Sequence, residues 1–173
     1  RALGVASAFP DLLGSMQGQL GRLYDVDVEH DVRDYLVTDR ALLATLTAGN
    51  PGRSADEQLI VVENGGAVDV ALYLDQGVLE RLVAADPRHG ISGANLADFW
   101  TVLEGVSHFH YLAWNAGFDK PVTLLELEMQ AEVDKYASAL RLMLEQRAGR
   151  FPGELFERLF ERERISGVPV VEK

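Results

Sequence analysis

Five side chains of this 173-residue chain have the types and spacing of a metal or acid–base site: Glu104, His108 and His110 in one segment, Glu128 and Glu132 in the next. Glu104 and His108 stand four residues apart, so on a helix a carboxylate and an imidazole share one face. Glu128 and Glu132 repeat that spacing. Two carboxylates so placed repel by a few tenths of a kcal/mol and need an offset from Lys135, a histidine or a cation. Carboxylates and imidazoles on facing helices are a recurrent way to hold a divalent ion, and this donor mixture suits zinc, iron or manganese. On that reading Glu104, His108 and Glu132 are metal ligands, Glu128 is a base or fourth ligand, and His110 orients a neighbour or a developing charge. The competing reading makes His110 a hydrogen-bonded core residue and leaves the glutamates solvated or salt-bridged.

The elements that must position these residues are two long helices, 95–116 and 124–147. Leu96, Phe99, Trp100, Leu103, Val106, His110, Ala113 and Trp114 fall on one broad apolar face of the first, which is therefore expected to be buried. Asn95 is a candidate cap with Asp98 three residues on, and Gly117 a stop. Thr123-Leu124-Leu125-Glu126 matches a capping box, which gives Glu126 a structural task rather than a place in the site. Leu125, Met129, Val133, Tyr136, Leu140 and Met143 are expected to face the core. The loop of about seven residues between the helices favours an antiparallel neighbouring pair, which sets His108 and His110 level with Glu128 to Glu132 at about 1.5 Å per residue.

The segment Glu104-Gly105-Val106-Ser107-His108-Phe109 resembles the H-E-x-x-H helix of zincin-type metallopeptidases, whose histidines bind zinc and whose glutamate activates water. The resemblance covers about 30 residues. It implies Glu104 and His108 as ligands and Glu128 or Glu132, 20 and 24 residues after His108, as the third. Gly105 stands where those enzymes carry their base, and glycine cannot do that work. A mixed sheet ahead of the helix is compatible with a zincin-like core.

The rest of the chain supplies a scaffold. Residues 10–23 place Leu12, Leu13, Met16, Leu20 and Leu23 at helical spacing. From Asp25 to Val32 acids alternate with other residues, predicting an extended segment that 33–37 continues. The first positions of a calcium loop are imitated there, but His30 and Leu36 replace the required Gly and Glu. Thr38 is expected to cap a short helix through Thr47, before a Gly49-Asn50-Pro51-Gly52 loop. Leu59 to Glu63 and Ala67 to Leu74 flank Asn64-Gly65-Gly66 and predict a hairpin, with Val68, Val70, Leu72 and Leu74 on one face. Asp75 caps a helix to Ala85. The expected fold is one α+β domain over residues 1–173, a small mainly antiparallel or mixed sheet against several helices, with 165–173 a mobile tail or an edge strand.

Composition narrows the function classes. The net charge is −11; residues 1–134 hold 8 Lys/Arg against 21 Asp/Glu, and residues 135–173 hold 8 against 6. Such a surface repels phosphate, so nucleic acid is not an expected partner. No apolar run approaches the roughly 20 residues of a membrane helix, no signal segment opens the chain, and there is no Cys; a soluble, cytoplasmic protein is expected. Ser107 and His108 point about 100° apart on a helix and form no dyad. Two functions fit. The first is a non-catalytic accessory or interaction domain with a protein partner or homo-oligomer, using Leu155, Phe156, Leu159 and Phe160 as its apolar stripe. The second is a metal-dependent hydrolase built on Glu104, His108 and Glu132.

Overall fold

The Asn64-Gly65 signal produces the hairpin it predicts. Strands β2 (Glu57–Asn64) and β3 (Ala67–Leu74) pair antiparallel from Glu57↔Leu74 to Asn64↔Ala67, and Gly65 takes φ +58°, which favours glycine. The short strand β1 (Leu36–Val37) joins β3 in parallel through Leu36↔Leu72 and Val37↔Tyr73, giving a mixed sheet of order β1-β3-β2. Side-chain alternation sends Leu72 and Leu74 into the main core and Tyr73 to the opposite face, where it packs with Ile60 and Leu43. Glu57 shares the core-facing parity of Leu59.

The computed structural model describes residues 8–47, 56–65 and 67–161, which form an α+β fold of six helices and this sheet. The Gly49–Gly52 loop and the 165–173 tail lie outside the described residues. Helix α1 (Ala8–Tyr24) buries Leu12, Leu13, Met16 and Leu20. Helix α2 (Arg40–Leu46) covers the Tyr73 side of the sheet with Leu43. Helix α3 (Gln76–Ala84) starts where the Asp75 carboxylate accepts the N–H groups of Gly77 and Val78. Helix α4 (Leu96–Ala116) touches α1, α3, β2, β3 and α5 (Leu124–Gln146), so it is the central element. The Thr123/Glu126 capping box forms as expected. A short α6 (Glu154–Phe156) runs into a π turn at Glu157–Glu161. Among the described residues no helix is long and apolar enough to cross a membrane.

Several local expectations are corrected. Asp25 to Val32 is not a strand: Asp25 turns to φ +53° and the Val26 N–H closes on the Gly21 carbonyl at 3.0 Å. The Gln17 side chain then clamps the His30 carbonyl (2.7 Å) and the Val32 N–H (2.9 Å), and Asp31 caps a 3-10 turn at Val32–Tyr35. Side-chain bonds to the local backbone have displaced a ladder. His30, for which the sequence suggests no partner, meets the Tyr35 hydroxyl at 2.9 Å. Asp39, not Thr38, caps α2. Asn95 sits at the head of α4 without capping it; its amide instead donates to the carbonyls of Ala85 and Gly90, both at 2.8 Å, and ties down the preceding loop.

The largest correction concerns the N-terminal half of α5; in its C-terminal half Met143 is buried and Tyr136 and Leu140 pack against the core as expected. Leu125, Met129 and Val133 are 67%, 62% and 55% exposed, whereas Ala131, Asp134, Lys135, Ser138 and Ala139 face α4. The helix is turned so that two charged side chains are inside. That orientation is tolerable because α4 presents a partner to each, the half-buried Glu104 to Lys135 and the buried Ser107 to Asp134. Near the C-terminal end the expected apolar stripe packs inward, with Leu155 and Leu159 buried and only Phe156 exposed; the Phe160 side chain lies outside the described residues.

Candidate functional site: a carboxylate–histidine centre

His108 organises the site. Its ring is 6% exposed, and its Nδ1 lies 3.4 Å from Glu57 Oε1, a carboxylate delivered by the first residue of β2. On its other side Nε2 lies 3.9 Å from Glu128 Oε1 of α5. That buried Nε2 has no hydrogen-bond partner. One ligand atom each from Glu104, His108 and Glu128 falls within 4.8 Å of the others. Glu128, 51% exposed, gives this cluster an open side.

Glu132 is placed differently. It forms a short ion pair with Lys135, which is buried and also donates to Glu104 Oε2 at 2.9 Å. Lysine is thus the offset that Glu132 requires, and Glu128 is the glutamate of α5 that reaches the histidine. Four carboxylates, Glu57, Glu104, Glu128 and Glu132, gather about one lysine and one histidine.

The electrostatics follow from that imbalance. Burial pushes the Glu57 carboxyl up, and the negative charges of Glu104 and Glu128 push it further, against the pull of His108. Burial alone would lower His108, but its hydrogen bond to Glu57 and the charges of Glu57, Glu128 and Glu104 outweigh it, and the ring titrates above its ordinary value. Both groups bind a proton more firmly than they would in water.

Gly105 is needed for this arrangement. A Cβ there would lie 2.8 Å from Glu57 Cγ, 2.9 Å from Leu72 Cδ1 and 3.2 Å from Leu74 Cδ2. The helix therefore rests directly on the sheet, and Glu57 fills the space that a side chain at 105 would need.

His110 does not join this centre. Two residues on, it lies about 200° around the helix and lines a separate cavity with Tyr24, Gln130 and Asp134. Burial pushes its pKa down, with Asp134 pulling the other way. Asp134 is itself engaged: Ser107 Oγ donates to its Oδ2 at 2.5 Å, and its Oδ1 accepts the Tyr24 hydroxyl and, at 3.0 Å, the Gln130 amide. Ser107 and Asp134 thus bond directly to each other.

Three of the five residues singled out in the sequence, Glu104, His108 and Glu128, meet here. Glu57 was missed. Its signal was the parity it shares with Leu59, together with a glycine on a buried helix face, which marks a close approach of another element. Comparison with known proteins adds no analogy: no protein family, no curated protein and no solved structure matches this chain.

Proposed function

We propose that this chain is a divalent-metal protein of hydrolase type, its centre made by Glu104, His108 and Glu128. The observation that carries the reading is His108: one ring nitrogen turned to the largely buried Glu57 carboxylate, the other buried without a hydrogen-bond partner and 3.9 Å from Glu128, with Glu104 in the same cluster. A metal-bound histidine characteristically engages a carboxylate or carbonyl through its second nitrogen, which fixes ring orientation and raises basicity. Glu57 is therefore the orienting residue. Lys135 holds Glu104 and Glu132 in place and keeps the acidic cluster from being wholly uncompensated. Three protein donors and an exposed side suit a site that leaves coordination positions for water or substrate. A bound zinc, iron or manganese ion would there polarise a substrate oxygen or lower the pKa of water. The departure at Gly105 leaves the zincin resemblance without its helix-borne base, so the reading rests on the donor set.

The test is metal content. Protein purified without chelator should hold about one equivalent of zinc, iron or manganese, or take it up on titration, and lose it in Glu104→Gln and His108→Ala. Sub-stoichiometric metal unchanged by both substitutions sinks the proposal. Hydrolysis of p-nitrophenyl esters and phosphates, compared before and after chelation, then separates a catalytic centre from a purely binding one.

The exposed Leu125, Met129 and Val133 favour a second reading, the interaction domain. They stand four residues apart along α5 and form a continuous apolar stripe beside Glu128 and Glu132. On that reading the occupant of the stripe is a second copy of this chain.

A further inference from the structure

Both ring nitrogens of His110 are buried without a hydrogen-bond partner, and the residue is 6% exposed. It borders a cavity of about 230 Å³ between the end of α1, α4 and α5. Val26, Tyr111 and Trp114 make its apolar walls, and Tyr24, Gln130 and Asp134 its polar edge. Val26 and His110 also line a wider groove of about 610 Å³ on the α1 side.

The polar edge is largely self-satisfied. Asp134 accepts from Ser107, Tyr24 and Gln130, and the Tyr24 hydroxyl accepts a further Gln130 N–H at 2.9 Å. A carboxylate with those donors neither calls for a cationic ligand nor welcomes an anionic one. His110 is different. A neutral imidazole offers one N–H and one acceptor nitrogen, and both remain unspent. Aromatic walls select a flat molecule, since ring pairs prefer offset or edge-to-face contact. Volume sets its size: a dry cavity of about 150 Å³ takes benzene, so this one has room for one ring or two fused rings.

We propose that this cavity is a binding site for a small uncharged aromatic molecule, phenolic or indolic, whose hydroxyl or ring N–H hydrogen-bonds to His110. The site is independent of the carboxylate–histidine centre, which lies on another side of α4.

Titrating phenol, indole and toluene into the full chain while following the His110 ring nitrogens by NMR tests this. Phenol and indole should shift those nitrogens saturably. Toluene, which matches phenol in size but lacks the hydroxyl, should bind about tenfold more weakly. His110→Leu should weaken phenol by about tenfold as well, and Glu104→Gln should leave it unchanged. If His110→Leu does not fold, Trp114→Ala, which opens the apolar wall, should give the same loss. Absence of saturable shifts up to the solubility of the probes, toluene binding as tightly as phenol, loss of phenol in Glu104→Gln, or phenol binding unaltered in the folded wall or histidine variant overturns the proposal.

Discussion

Glu57 and His108 are 51 residues apart in the chain, yet a carboxylate oxygen of one lies 3.4 Å from a ring nitrogen of the other. The contact exists because the first residue of an edge strand reaches beneath a central helix at the position where that helix carries glycine. Glu57→Gln keeps the shape and removes the charge. Loss of an outer-shell partner of a ligating histidine typically costs about 10- to 100-fold in metal affinity. Zinc titration by calorimetry should show that drop for Glu57→Gln with the stoichiometry preserved; equal affinities would detach Glu57 from the site.

The same pair predicts a pH dependence. Glu57 and His108 both titrate above their ordinary values, 4.5 and 6.5, so the folded chain binds their protons more tightly than the unfolded chain does. Their contribution is fully present below the unfolded pKa values and is lost as pH rises through the folded ones. In chelator-treated protein the melting temperature should fall as pH climbs above about 6.5 for the histidine, and Glu57→Gln should flatten the fall. Added zinc should reverse the trend, because the metal requires a neutral ring and gains as the proton leaves.

Gly105→Ala sets two effects against each other. Alanine improves helix propensity by about 1 kcal/mol, but its Cβ would meet Glu57 Cγ at 2.8 Å and Leu72 Cδ1 at 2.9 Å, and overpacking a core costs about 1–3 kcal/mol. Net destabilisation is expected by denaturant unfolding. The double variant Gly105→Ala/Glu57→Ala should recover part of the loss, with a coupling energy of about 0.5 kcal/mol or more. Additive losses would show that the two residues do not compete for the same space.

The stripe on α5 predicts self-association. Met129→Asp should abolish any concentration-dependent dimer seen by sedimentation, while changing monomer stability by less than about 0.5 kcal/mol, because the side chain is 62% exposed. A wild-type chain that stays monomeric at high concentration removes the self-association reading.

What the sequence disclosed and what it hid divide by the range of the interactions. The hairpin at Asn64, the Asp75 cap and the Thr123/Glu126 box are each settled within a few residues, and each is legible there. Glu104 and His108 were legible for the same reason, being one turn apart. The orientation of α5 was not. Hydrophobicity alone turns Leu125, Met129 and Val133 inward, but Lys135 and Asp134 find Glu104 and Ser107 of α4 as partners and go inside instead. Specific pairing overrode the apolar count. The acids of Asp25 to Asp31 misled in a similar way: their alternation resembles a strand, while Gln17 and Asp31 bind the local backbone and end any ladder before it begins.

The place of α4 among its neighbours has a kinetic meaning. Because α1, α3, α5 and the sheet all rest on it, no single neighbour can leave and expose it, and the amide protons of Val102 to His110 should exchange only when the whole chain unfolds. Glu128, by contrast, sits on a helix whose outer side is open. The centre would then combine a fixed wall, Glu104 and His108, whose lifetime is that of the fold, with a single carboxylate free to swing on the timescale of an exposed side chain. Capture and release of an ion would be timed by that arm.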